Sequence, residues 1–329
     1  MLMSVGRKLG RLRSLKDSAH RRLLDQILRY HANPADVRRV LDRLTESFVI
    51  GSADLDPAGI VGKLEHLLDT YEDHLKSEVQ SLVQGAPETE VNNLTNLLEI
   101  SISLDTMYRV VRHYYLQSKK QGGLLSLAQL QMSLPAIMEE AEAYNSAVDA
   151  FAAGATVGDG VGPLVAKIFS DGNKPKELAK DTDIYESSLE GRRLVIVRAR
   201  GPGGNVGKPG LAVEKLIQDA GPIDRIITVD AALKLEGERT GEIAEGVGAA
   251  IGGPGAERYH IEEAATKHRI PLNAVVVKMS SKEAISAMTP EISEAAKEAS
   301  RRVREIILSE THPGQTVILA GIGNTIGIE

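Results

Sequence analysis

Asp230 ends an apolar run, RIITVD, just ahead of a glycine-rich stretch, GERTGEIAEGVGAAIGGPG. Asn324 follows another such run in TVILAGIGNTIGIE, and Asp159 stands in a glycine turn, TVGDGVGP, before a helical pattern. Two carboxylates brought together at strand ends either share a proton or hold a divalent cation. Either state can activate water against a carbonyl, by general acid/base or Lewis-acid action. Each aspartate also has a plainer use. Asp230 can cap the turn amides of its own loop, and Asp159 can act as an anion at the N-terminus of a helix near Val161–Val165.

The loop RGPGGNVGKPG offers a different chemistry. Successive amides without Cβ atoms can wrap an anion, and Arg200, Lys208 and, after Asp230, Lys234 would add positive charge. The spacing is not that of G-x-x-x-x-G-K-[ST], and no Ser or Thr follows Lys208 to take a metal. GDGVGP and AGIGNTIG lack the dinucleotide fingerprint in its strand–turn–helix setting. Any one of these loops also reads as a tight turn that lets backbones approach closely.

Composition narrows the field. The chain has 329 residues, 42% hydrophobic and 26% charged, which is an ordinary globular composition long enough for two domains. Aromatics make up 3%, so a site built on stacked rings is not expected. A net charge of −6 provides no global attraction for phosphate backbones, and no nucleic-acid partner is expected. The absence of Cys excludes disulfides, Cys-ligated zinc, iron–sulfur clusters and thiol catalysis, and makes the cytoplasm the default location. No run approaches bilayer-spanning length. The N-terminus carries Arg7, Lys8, Arg11, Arg13, Lys16, Arg21 and Arg22 beside Met1, Leu2, Met3, Val5, Leu9, Leu12 and Leu15. That pattern reads as a solvated helix end, as a peripheral membrane contact or, against the overall charge, as a local nucleic-acid contact.

The elements that must position these residues fall into two kinds. Residues 1–153 repeat apolar positions at helical spacing, as in IVGKLEHLLDTYEDHL, and predict a helical bundle domain. Asn33-Pro34 and Asp56-Pro57 read as helix starts, and breaks are expected at Gly51–Pro57, Gly85–Pro87 and Gly122-Gly123. Residues 154–329 alternate β-branched runs (RRLVIVRAR, IDRIITVD, LNAVVVKM, TVILAGI) with helical patterns. This grammar predicts a three-layer α/β/α domain with a mainly parallel sheet. Ligands of such sheets bind at the carboxyl ends of the strands, where Asp230 and Asn324 fall.

Over its full length the chain resembles an uncharacterised archaeal family of unknown function with RGPGGNVGKPG, VDAALKLEGE and a terminal AGIGNTIGI. Members of that family often carry an N-terminal membrane segment. The part from Gly154 to Glu329 resembles the hydrogenase-maturation endopeptidases, whose first strand runs through G-I-G-N and an acidic pair into G-x-G. Here VILAGIGNTIGIE and GDGVGPLVAKIF carry those pieces in reversed order, so the resemblance implies a circular permutation of that fold. The spore germination proteases share the pattern, and their Asp pair corresponds to Asp159 and Asp230.

The resemblance implies a peptidase-like hydrolase acting on a peptide or protein. Asp159 and Asp230 would be the acid/base pair or the ligands of a divalent metal of unspecified identity, with Asn324 orienting them through its amide. Glu329, joined in space to the turn before Asp159, would be a third carboxylate ligand. Gly160 and Gly162 in one loop, with Gly201, Gly203, Gly204, Asn205 and Lys208 in the other, would hold substrate, and Lys234 would lie beside them. The endopeptidases add a histidine ligand; the matching region here is Gly252-Gly253-Pro254, while His260 and His268 fall on the following helix and read as surface residues. Two readings stand beside this one: a non-catalytic module whose glycine loops hold an anionic small ligand or nucleotide through Arg200, Lys208 and Lys234, and a helical interaction scaffold.

Overall fold

The computed structural model describes residues 2–30, 33–45, 59–121, 124–170, 172–219, 221–253 and 255–329. The chain forms two compact units, Met1–Ile50 with Asp69–Gly154, and Gly51–Leu68 with Ala155–Glu329. The helices α1 (Leu2–Leu28), α2 (Pro34–Thr45), α3 (Ile60–Leu82), α4 (Glu88–Gln121) and α5 (Leu124–Ala153) precede the sheet. The division between the units falls within α3. Asn33 caps α2 as its sequence predicts, its Oδ1 accepting the Ala35 amide at 2.9 Å. The start expected at Asp56-Pro57 and the breaks at Gly51–Pro57 and Gly122-Gly123 lie outside the described residues.

Helix α1 buries Val5, Leu12, Ala19, Leu23 and Ile27, a stripe at helical spacing, and packs on α4 and α5. Three cations of its polar face are held within the same unit: Arg11 by Glu142 at 2.8 Å, Lys16 by Asp105 at 3.1 Å and Arg22 by Asp149 at 2.8 Å. Val5 and Leu12, counted above among the apolar residues of a membrane contact, are therefore core residues, while Leu2 and Met3 are exposed. No helix among the described residues is long and apolar enough to cross a membrane.

The second unit is a layered α/β structure. A 3₁₀ turn, Gly158–Gly160, leads into α6 (Val161–Ser170). There follow β1 (Lys176–Ala179), β2 (Thr182–Leu189), β3 (Arg192–Ala199), α7 (Pro209–Asp219), β4 (Arg225–Leu233) and β5 (Ile243–Val247). The chain closes with α8 (Ala256–His268), β6 (Leu272–Met279), α9 (Ser281–Ile285), α10 (Pro290–Glu310) and β7 (Thr316–Gly321). The seven-stranded sheet has the order β1-β2-β3-β7-β4-β6-β5. Strands β3, β7, β4 and β6 run parallel, while β1, β2 and β5 flank them in antiparallel pairs. The sheet is thus mixed, with a parallel centre.

Both faces of that centre are covered, which is why its strands read as unbroken apolar runs. On one face Ile196, Val229, Val275 and Leu319 pack against Val165 of α6 and Val303 of α10. On the other, Val197, Ile226, Ile318 and Ala320 pack against Val213 of α7 and Ile261 of α8. Strands β1, β2 and β5 carry no such run, and the apolar pattern alone does not find them. The β2–β3 hairpin is instead set by Glu190-Gly191, with φ of 47° and 80°, a two-residue turn whose twist suits antiparallel strands.

The last strand in sequence, β7, lies in the middle of the sheet between β3 and β4, and all of its residues are buried. Just beyond it, Ile322 N–H donates to Val229 O at 2.8 Å. Helix α6 begins directly against these two strand ends. A Cβ on Gly162 would overlap the carbonyl oxygens of both Ile322 and Val229. Backbone atoms cannot give way as a flexible side chain can. Gly162→Ala should therefore destabilise the protein by about 1–3 kcal/mol or more, as overpacking does. Gly246→Ala on β5, where a Cβ meets nothing within 4 Å, should stay within roughly 0.5 kcal/mol. Denaturant melts of the two variants check the contrast, and equal losses would contradict it.

Candidate active site

The carboxyl edge of the parallel strands gathers the end of β4, the end of β7 and the start of α6. Asp230 is 5% exposed. Its Oδ1 accepts the amide of Ala231 at 2.7 Å and its Oδ2 that of Gly252 at 3.0 Å. The neighbouring Thr228 accepts the Ala250 amide at 2.9 Å. Inward-facing polar side chains of β4 thus pin the glycine-rich loop after β5 across the strand end. Asp159, only partly exposed, accepts the Asn324 amide through Oδ2 at 2.8 Å.

Burial pushes the Asp230 carboxyl well above the ordinary carboxylate range, and the negative charge of Asp159 pushes it further. The amides of Gly252 and Ala231 oppose the shift. Asp159 is raised by burial too, against the opposing amide of Asn324. The charge of Asp159 thus acts on Asp230 across the strand ends. Asn324 does meet Asp159, but through its backbone amide; its side-chain Oδ1 accepts the Ile326 amide at 3.0 Å and shapes its own turn.

A family model described as "Domain of unknown function (DUF1512) C-terminal" matches residues 157–329. One described as "Protein of unknown function (DUF1512) N-terminal domain" matches residues 1–154. The chain belongs to the DUF1512 family. No curated protein and no solved structure matches it.

In this DUF1512 chain the glycine loops meet the chain itself where a substrate was expected. A Cβ on Gly160 would come within 2.9 Å of Ile328 Cδ1, and one on Gly201 would overlap the Ile328 carbonyl. The buried Thr325 hydroxyl lies 2.9 Å from Gly203 O, 3.0 Å from Arg200 O and 3.1 Å from Asn205 O. Asn205 donates to Arg200 O at 2.6 Å. Gly203 and Gly204 are both buried and sit in the same bend. The loop is thus a cradle for the segment Asn324–Ile328.

The cations are likewise engaged internally. Glu257 of α8 accepts the Gly210 amide at 2.7 Å at the start of α7, with Lys208 Nζ 3.9 Å from the same carboxylate. The place an external anion would take on that helix end is held by a side chain of the protein. Lys234 donates to Thr240 Oγ1 at 2.8 Å and lies 3.8 Å from Glu283. Arg200 pairs with Asp183 at 2.9 Å and Glu177 at 2.8 Å. Glu329 lines a separate cavity with Arg198 and Arg200. Among the described residues no three His, Cys, Asp or Glu side chains are grouped to hold a metal ion.

Sequence reading reached Gly252 only through the endopeptidase resemblance, and it missed Thr325 and Glu257. Glycine in GVGAAIGG is a signal for a loop that approaches a strand end, but it cannot say which strand. His268 is exposed, whereas His260 is half-buried, 2.7 Å from Glu214 and 3.2 Å from Glu65. Burial lowers its pKa, and the two carboxylates outweigh that effect, so the net direction is upward.

Two titrations follow. A raised imidazole pKa stabilises the fold below the unfolded value, about 6.5, and the gain is lost as pH rises through the folded value. His260→Gln should therefore melt below the parent near pH 6 and approach it in mildly alkaline buffer; a pH-independent gap would contradict the pairing. For the carboxyl pair, raised pKa values mean that the protonated forms stabilise the fold in acid and that this is lost as pH rises through the folded values. Asp159→Asn should thus gain on the parent as pH rises from about 4 to 7. The Asp230 carboxyl carbon, followed by NMR, should titrate at lower pH in that variant, and an unmoved titration would dissociate the two groups.

Proposed function

We propose that this DUF1512 protein is a hydrolase of the peptidase-like kind, with Asp159 and Asp230 as its acid/base pair. The observation that carries the reading is a pair of carboxyls, Asp159 and Asp230, gathered at the carboxyl edge of a parallel sheet and each held by backbone amides. Groups held this way favour sharing one proton, the state that acid/base catalysis at mild pH needs. The ionised partner would take a proton from a water molecule as its oxygen attacks the carbonyl carbon of an amide. The protonated partner would give its proton to the carbonyl oxygen, and the leaving nitrogen would be protonated as the tetrahedral species collapses. The amides of Asn324 and Gly252 would keep each carboxylate oriented without taking part.

The permuted arrangement suggested by the endopeptidase resemblance agrees with this choice, since β7 lies between β3 and β4 and delivers Asn324 to the Asp159 turn. A divalent cation would find two carboxylates here, and both oxygens of Asp230 already accept amides. The acid/base reading requires no further ligand. Its setting would be the cytoplasm, with the exposed Leu2 and Met3 left for a peripheral membrane contact.

The test is cleavage of a quenched-fluorescence peptide library from pH 4 to 8, with and without Mn²⁺ or Zn²⁺. Parent activity should fall by about 10²–10⁴-fold in Asp159→Asn and Asp230→Asn, the range acid/base groups contribute. Metal-independent activity would support the proton-sharing pair, and activity that appears only with metal would replace it with a metal-assisted one. A parent that cleaves nothing, or variants that cleave as well as the parent, would sink the proposal.

A further inference from the structure

Arg198 is a cation inside the sheet. It sits on β3 with 5% of its surface exposed, directly opposite the buried Asp183 of β2 in register and beside the buried Tyr185 of the same strand. Nη2 donates to Tyr185 Oη at 2.9 Å, and the guanidinium carbon lies 5.1 Å from that ring's centroid. Its Nε and Nη1, both shielded from solvent, meet no hydrogen-bond partner among the described residues. The nearby carboxylate Asp183 is committed to Arg200, whose Nη2 and Nε reach it at 2.9 and 3.3 Å. A guanidinium buried with two of its nitrogens unpartnered is unfavourable, and the phenol at the third supplies a dipole but no charge.

Beside Arg198 lies a cavity of about 470 Å³, bordered by Lys167 at the end of α6, Tyr185, Pro202, Glu329 and the paired Asp183 and Arg200. That volume exceeds what a bare inorganic anion fills and falls in the range of small-molecule sites. Two further cations on its wall and the ring of Tyr185 would suit a molecule with a charged end and a compact organic body. We propose that this cavity binds a small organic oxyanion, with Arg198 as its buried counter-charge and Lys167 as the cation at its wall. The inference uses neither Asp159 nor Asp230 and stands apart from the hydrolase reading. It also differs from the glycine-loop anion site expected from sequence, whose helix end Glu257 occupies.

The test is thermal melting of the full chain in inorganic phosphate and in succinate, each titrated against chloride at constant ionic strength. A ligand that binds only the folded state raises the melting temperature in a saturable way. The parent should show a saturable rise with at least one probe, and the stronger probe tells phosphate from carboxylate as the preferred oxyanion. Arg198→Gln should abolish the saturable part, and Lys167→Gln should raise the half-saturating concentration several-fold. No saturable rise in the parent with either probe, or an undiminished one in Arg198→Gln, overturns the proposal. If Arg198→Gln does not fold, Lys167→Gln decides, and an unchanged half-saturation overturns it.

Discussion

Helix α6 starts with its backbone against the carbonyls of Val229 and Ile322, and only a residue without a side chain at position 162 permits this. Much of the α/β unit depends on that approach. It sets the turn Gly158–Gly160 over the ends of β4 and β7, where the Asn324 amide closes on Asp159. It also brings Asp159 near enough to Asp230 for one charge to act on the other. Close-packed interiors allow little slack, so a shift of α6 would move the turn and the carboxylate together.

Around this contact the protein handles buried polarity in three ways. Asp230 is met by backbone amides on both oxygens, so its loop is fixed even though its charge is disfavoured. Glu257 uses a helix end, where amides point outward and the dipole favours a negative group. Arg198 receives one phenolic oxygen and no charge. The first two arrangements close on themselves and need nothing from outside. The third leaves two guanidinium nitrogens without a hydrogen-bond partner among the described residues, and a buried polar group left that way calls for an explanation.

The helical unit follows a simpler logic. Its buried apolar residues are mostly Leu, Val, Ile and Ala at regular spacing. The long helices α4 and α5 pack on each other and on α1, burying stripes that no single helix could satisfy alone. Its cations are largely partnered by acids of the same unit, so the basic look of the N-terminal sequence overstates the charge it presents outward.

The sequence by itself determined the kind of each long element and the covered, parallel centre of the sheet. Apolar periodicity is a local quantity, and a strand buried on both faces or a helix buried on one must display it in its own residues. The cap Asn33 was legible for the same reason, because it acts on an amide two residues away. Asp159, Asp230 and Asn324 could be singled out because polar residues at the ends of apolar runs are conspicuous. Only the tertiary structure decided what each one touches. Gly252, Thr325 and Glu257 act on groups far along the chain, and Arg198 meets the phenol of Tyr185 on the neighbouring strand. The glycine loops show the limit most clearly: the same sequence could wrap a ligand or a neighbouring backbone, and the choice fell to the segment Asn324–Ile328, which arrives from the other end of the domain. Edge strands β1 and β5 were hidden because their order comes from hydrogen bonds to a neighbour and not from burial of their own side chains.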